Sequence, residues 1–267
     1  MLYLLSPAKS LDYETPTPPA VAKLATDPVF AERAAELVGL MRKRSAVEVA
    51  AMMGLSRSLA ELNVARYAAW STCCTPGNSK PAALAFDGDV YTGLRLPDLG
   101  LADLRWAQKH IVILSGLYGA LRPLDRLQPY RLEMGTRLPN AQGKDLYAYW
   151  GDLIAAHLNG LASRDASPVI VNLASKEYFQ VIDRKAVLVP RVVECVFEEW
   201  KVDRYRTIGF FAKRARGLMA RYAIEQRIAT PEGLKKFDVE GYLFDAAASG
   251  PHRFVFRRRV DRASSAS

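Results

Sequence analysis

Cysteine is scarce in this 267-residue chain, which has only Cys73, Cys74 and Cys195. Neighbouring cysteines do not bridge easily, and an odd count suits a reducing compartment, so a disulfide-stapled scaffold is excluded. Histidine is equally rare: His110, His157 and His252 share no ligand spacing with the cysteines, and no metal is expected. No apolar run approaches the roughly 18 residues that span a bilayer. The start, MLYLLSPAKS, has neither a basic lead nor an apolar stretch long enough for a signal peptide. The expected location is the cytoplasm, with no membrane partner. Walker, GxSxG and GxGxxG sequences are all missing, so the usual signatures of P-loop, hydrolase and dinucleotide chemistry do not apply. No cofactor is expected.

What is present is an ordinary globular composition, 50% hydrophobic and 24% charged, enough for a sizeable core. The net charge is +9, and its distribution says more than its size. Residues 1–200 hold 22 Lys and Arg against 21 Asp and Glu, whereas residues 201–267 hold 15 against 7. A positive excess confined to the last quarter suits either a solvated basic surface or a polyanionic partner whose phosphates release counterions on binding.

Along the chain, Leu2–Leu5 reads as a strand and Thr15–Pro19 as a loop. Residues 28–68 read as about three helical segments, punctuated at Ser45 and Gly54. Strands are predicted at Ala82–Phe86, Ile111–Leu114, Val169–Leu173 and Ala186–Val189, with helices at 101–109, 145–160 and 175–182 between them. Val192–Glu198 and Tyr205–Phe211 read as a strand pair. A helix over 212–228 follows, then a short one from Pro231, then strands near 241–244 and 253–260. The alternation predicts an α/β fold: one compact domain over residues 1–260, a mixed sheet surrounded by helices, expected to be monomeric. Residues 261–267 read as a disordered tail.

Three patterns carry candidate chemistry. The sharpest is Gly54-Leu55-Ser56-Arg57-Ser58-Leu59-Ala60, within a helical hairpin at about 45–67. It fits a Gly-hydrophobic-Gly-x-x-x-Ala turn, with Ser56 in place of the second glycine. Such a turn aims backbone N–H groups and a helix dipole at an anion, with Ser56 as cap and Arg57 adding charge. The second is residues 211–227, where Lys213, Arg214, Arg216, Arg221 and Arg227 fall within a sector of about 160° at roughly 100° per residue. Such a face suits phosphate contact without sequence reading. The third is a set of polar residues following predicted strands, where parallel α/β sheets bind ligands. It comprises Lys9, the Asp87–Asp89 pair, Tyr118, Arg122, Asp125, Tyr130, Arg131, Glu133 and Lys176. Gly116 and Gly119 resemble a phosphate loop only loosely.

Several stretches resemble the YaaA family: LSPAKSLDY at the start, FDGDVYTGL (86–94), LSGLYGALRPLD (114–125), QPYRLEMG (128–135), NLASKEYF (172–179), FAKRARGLMARY (211–222) and FDVEGYLFD (237–245). They run in order through most of the chain. The resemblance implies a cytosolic protein that limits hydrogen peroxide damage and is associated with lower free iron. It implies a compact α/β fold of its own kind, with a helix-hairpin-helix and a basic cleft able to bind duplex DNA. By resemblance, Gly54, Leu55 and Ser56 form the hairpin, and Lys9, Lys213, Arg214 and Arg216 line the cleft.

Two functions follow as expectations. In the first, the hairpin (Gly54, Leu55, Ser56, Arg57) and the bases Lys9, Lys213, Arg214, Arg216 and Arg221 grip duplex or branched DNA by its phosphates. In the second, the chain is an enzyme on a nucleotide, nucleobase or other small anionic ligand. There Lys9, Arg122 and Lys176 hold the anion, and Asp89, Tyr118 or Glu133 moves the proton.

Overall fold

The computed structural model describes residues 1–163, 165, 167–183 and 187–259. Its centre is an eight-stranded mixed sheet with the order β11-β12-β9-β8-β1-β5-β6, and β10 paired to β9. These strands are β1 (Leu2–Leu5), β5 (Ile111–Ser115), β6 (Gly119–Leu121), β8 (Val169–Asn172), β9 (Arg191–Lys201), β10 (Arg204–Arg206), β11 (Leu243–Phe244) and β12 (Arg253–Arg258). β12, β9, β8, β1 and β5 run parallel, and the edge strands β6 and β11 are antiparallel. Every residue of β1, β5 and β8 is buried, which is why these strands are continuous apolar runs without alternation. β9, solvated on one side, alternates instead, burying Val193, Cys195, Phe197 and Glu199. Two small two-stranded pairs lie outside this sheet: β2 (Ser10–Leu11) with β4 (Phe86–Asp87), and β3 (Lys80–Pro81) with β7 (Arg126–Leu127).

The helices are α1 (Pro19–Ala22), α2 (Ala31–Met41), α3 (Ala46–Met53), α4 (Arg57–Ala69), α5 (Ala82–Ala85) and α6 (Asp89–Leu94), then α7 (Leu101–His110), α8 (Leu146–Trp150), α9 (Leu153–Ala162), α10 (Lys176–Phe179), α11 (Gly209–Glu225) and α12 (Pro231–Leu234). The result is a compact α/β domain with one contiguous core. Among the described residues no helix is long and apolar enough to cross a membrane.

α3 and α4 pack against each other and are joined at Gly54–Ser56. Ser45 and Glu48 make a reciprocal capping box that starts α3. Gly54 closes α3 in the left-handed region (φ 61°), where glycine carries no Cβ penalty. Ser56 starts α4 by accepting the Leu59 N–H. The hairpin is tied to the body by buried Val49, Ala60 and Tyr67, and Tyr67 donates its hydroxyl proton to the Arg131 carbonyl.

Four expectations are corrected. Ala82–Ala85 is a helical turn, not a strand. Its alanine-rich run follows Pro81, and high alanine helix propensity decides where a short apolar run has no period of its own. The helix expected over 145–160 breaks at Gly151, which has positive φ, into α8 and α9. The strand expected to reach Phe211 ends at Arg206, and α11 begins at Gly209. Of Ala186–Val189, residues 187–189 form no strand, while Ala186, like the expected tail 261–267, lies outside the described residues.

Candidate functional site

A cavity of about 410 Å³ opens beyond the carboxyl ends of β1 and β8. β1 has β5 on one side and β8 on the other, so the strand order reverses here and leaves a crevice at the strand ends. Ser6 to Ser10, following β1, form one wall. This loop is held at three points: the Tyr91 hydroxyl donates to the Ser6 carbonyl (3.0 Å), the Ser175 N–H donates to Ser6 Oγ (2.8 Å), and Ser10 pairs with Asp87. The last pairing places Asp87, and Asp89 one residue into α6, on the adjacent wall.

Tyr130 to Glu133 cross the strand ends opposite. They can do so because residue 116 is glycine: a Cβ there would lie 2.2 Å from the Leu132 carbonyl oxygen. Gly119 has φ 65° and backs onto the Trp150 ring. Both glycines therefore serve close packing, which removes the loose likeness to a phosphate loop. Within this wall Glu133 binds both Arg131 (3.1 Å) and Lys9 (3.2 Å), forming a paired trio. Tyr130 shares a 2.6 Å hydrogen bond with buried Ser115. Burial pushes the hydroxyls of Tyr91, Tyr130 and Tyr178 above the ordinary tyrosine range, so these walls present neutral phenols.

α11 completes the site. Gly217 lies against α6 so closely that a Cβ would sit 1.8 Å from the Val90 carbonyl oxygen, and Gly93 of α6 meets the Arg214 carbonyl in the same way. This contact carries Lys213 and Arg216, three residues apart on one face, to the cavity beside Asp89. Neither cation has an ion-pair partner among the described residues. Arg216 Nε is buried without a hydrogen-bond partner. Burial lowers the affinity of this guanidinium for its proton, an effect opposed by the charge of Glu194. Desolvating part of a guanidinium costs free energy that nearby negative charge offsets.

The expected site residues therefore divide. Lys9, Asp89, Glu133, Lys213 and Arg216 are brought together at the cavity, with Ser6, Ser175, Glu177 and Tyr178 added by the fold. Tyr118 is not at the cavity; it is a core residue accepting from Trp70 Nε1 and the Gln128 N–H. Arg122 binds buried Asp125 beside Thr26, and Lys176 stands exposed at the start of α10 outside the cavity lining. Arg214 binds Glu240. Arg221 binds Glu225 and donates to the Leu94 and Arg95 carbonyls. Arg57 pairs with Glu61 at the exposed hairpin tip, beside Gly54, Leu55 and Ser56. The basic face expected on α11 is thus split. At about 100° per residue, Gly217, Ala220 and Ile224 fall in the middle of its sector, and all three are buried.

The sequence as a whole agrees with known proteins over nearly its full length. A family model described as peroxide stress protein YaaA matches residues 1–248. The chain belongs to this family. Its curated relatives include UPF0246 proteins of Leptothrix cholodnii, 61% identical over 97% of this chain and 98% of that protein, and of Bordetella avium, 58% identical over 98% and 100%. A third, from Variovorax paradoxus, is 60% identical over 97% of this chain and 99% of its own. The YaaA stretches quoted above supply most of the cavity: Ser6–Ser10, Asp87–Tyr91, Tyr130–Glu133, Ser175–Tyr178 and Lys213–Arg216.

Proposed function

We propose that this member of the peroxide stress family acts in the cytoplasm on DNA, holding phosphates at the cleft where α11 meets the strand ends. One observation carries the reading: Arg216 and Lys213, without ion-pair partners among the described residues, stand beside Lys9 and Arg131 at a single opening. A phosphodiester at the opening meets the exposed Lys213 ammonium and the positive charge of Arg216 behind it. The exposed Gly54–Arg57 tip is a second point of support on the same strand of DNA. It lies about 13 Å along α4 from Arg66, next to the Tyr67 that anchors the helix to the Arg131 segment, at 1.5 Å per residue. Shielding DNA from iron-driven oxidation is the corresponding role in peroxide stress.

The test is fluorescence anisotropy of a labelled duplex titrated at several salt concentrations. Three or four phosphate contacts give a log–log slope of about −3, at −0.9 for each. Lys213→Glu with Arg216→Glu should weaken binding alike on unrelated sequences. A flat salt response would remove the proposal.

A second reading has its own support: Asp89 and Glu133 share the cavity with Lys9, an arrangement that suits a free nucleotide or phosphorylated small molecule as substrate. A thermal-shift panel of nucleotides and nucleobases separates the two. If none raises the melting temperature while DNA does, the small-molecule reading is lost.

A further inference from the structure

A duplex cannot enter this cavity. At about 410 Å³ it is the size of sites that take one small molecule. Nor is it built as a plain phosphate track, because its lining carries charges of both signs. Lys213 and Arg216 lie on the side formed by α11, and Asp87 and Asp89 on the side formed by β4 and α6. Neither carboxylate has an ion-pair partner among the described residues, so they are not spent in balancing Lys9 and Arg131, which Glu133 already binds. Carboxylates repel a phosphodiester but accept N–H groups from base edges, such as the cytosine amino group. Buried Tyr130 and Tyr178 add aromatic wall between the two sides, the surface against which unstacked bases are held.

We infer that the cavity receives a single nucleotide turned out of the DNA, its base edge toward Asp87 and Asp89 and its phosphate on Lys213 and Arg216. The inference rests on the DNA reading above and names what enters the site. One nucleotide is the largest part of DNA that fits, and it offers donors to the carboxylates and an anion to the cations in one ligand. The energy required is that of unstacking one base.

The test uses the full chain and a duplex with 2-aminopurine opposite thymine, followed by anisotropy and by 2-aminopurine fluorescence in the same sample. Permanganate reactivity of the partner thymine gives an independent readout. The expected result is a several-fold fluorescence rise or a newly reactive thymine on binding. Asp87→Asn with Asp89→Asn should reduce that signal several-fold for the same amount of complex, as reported by anisotropy, with the melting temperature unchanged. Binding seen by anisotropy with neither probe altered overturns the inference and leaves the DNA reading standing. An undiminished signal in a folded double variant also overturns it. If anisotropy shows no binding to any duplex, the DNA reading falls and the inference with it. Should the double variant fail to fold, the two wild-type probes decide alone.

Discussion

Arg216 differs from the other arginines of α11 in what surrounds its charge. Arg214 and Arg221 each have a carboxylate within 2.5–2.8 Å, and Glu240 holds the Arg214 guanidinium firmly protonated. Arg216 is desolvated with no carboxylate in ion-pair contact among the described residues and only the charge of Glu194 opposing its burial, so replacing it by an apolar chain of similar length removes a cost as well as a charge. Arg216→Met should therefore leave the melting temperature unchanged or raise it, while lowering affinity for duplex DNA about tenfold, the loss of one charge-assisted hydrogen bond. Differential scanning fluorimetry beside anisotropy checks both. A fall in melting temperature with unchanged affinity would make Arg216 a structural residue. The same comparison explains why Arg122 and Tyr118 looked functional in the sequence. Each is a polar group with strict partners, but those partners, Asp125 for Arg122 and Trp70 for Tyr118, belong to the core. Residue type reveals that a polar group needs a partner and not which one it finds.

At the scale of elements, the site depends on the seam between α6 and α11. Gly93 and Gly217 let two helix backbones touch, and α6 begins at Asp89 while α11 carries Lys213 and Arg216. Gly217→Ala places a methyl group 1.8 Å from a carbonyl oxygen of the neighbouring backbone, which no side-chain motion can relieve. The expected cost is about 1–3 kcal/mol in denaturant unfolding, as for overpacked cores. DNA affinity should fall as well, since α11 carries both cations and shifts with the seam. An unchanged unfolding midpoint would show that the seam is looser than its geometry implies. The hairpin shows how far local signals reach: Ser45, Gly54 and Ser56 mark its ends by capping chemistry that needs no tertiary partner. Ala82–Ala85 shows the limit of periodicity, because four apolar residues carry no period, and alanine's helix propensity decided for a helical turn.

For the whole molecule, the positive excess of the last quarter is offset only in part by carboxylates from outside it. Arg214, Arg221, Arg227, Arg253, Arg257 and Arg258 are in ion pairs, several with Glu198, Glu199 and Asp103 from outside that quarter. Burial also sets a pH dependence of stability. His110 and His157 are both held below the ordinary histidine value of 6.5, chiefly by desolvation. The unfolded chain takes up these protons first as pH falls, so their contribution to stability is intact above 6.5 and is lost toward the lower folded values. The urea midpoint should drop between about pH 7 and pH 5.5, and His110→Gln with His157→Gln should flatten that slope. An equally steep slope in the double variant would place the titration elsewhere. Much of the fold was legible from sequence alone. The buried parallel strands, the capped hairpin, the long basic helix and the residue types of the site follow from periodicity, caps and composition, which act over a few neighbouring residues. What only the tertiary structure decided is which charges stay free. Lys213 and Arg216 face a cavity while Arg214 and Arg221 find carboxylates, because two glycines bring α11 onto α6. Electrostatic partners separated by tens of residues leave no mark in local sequence.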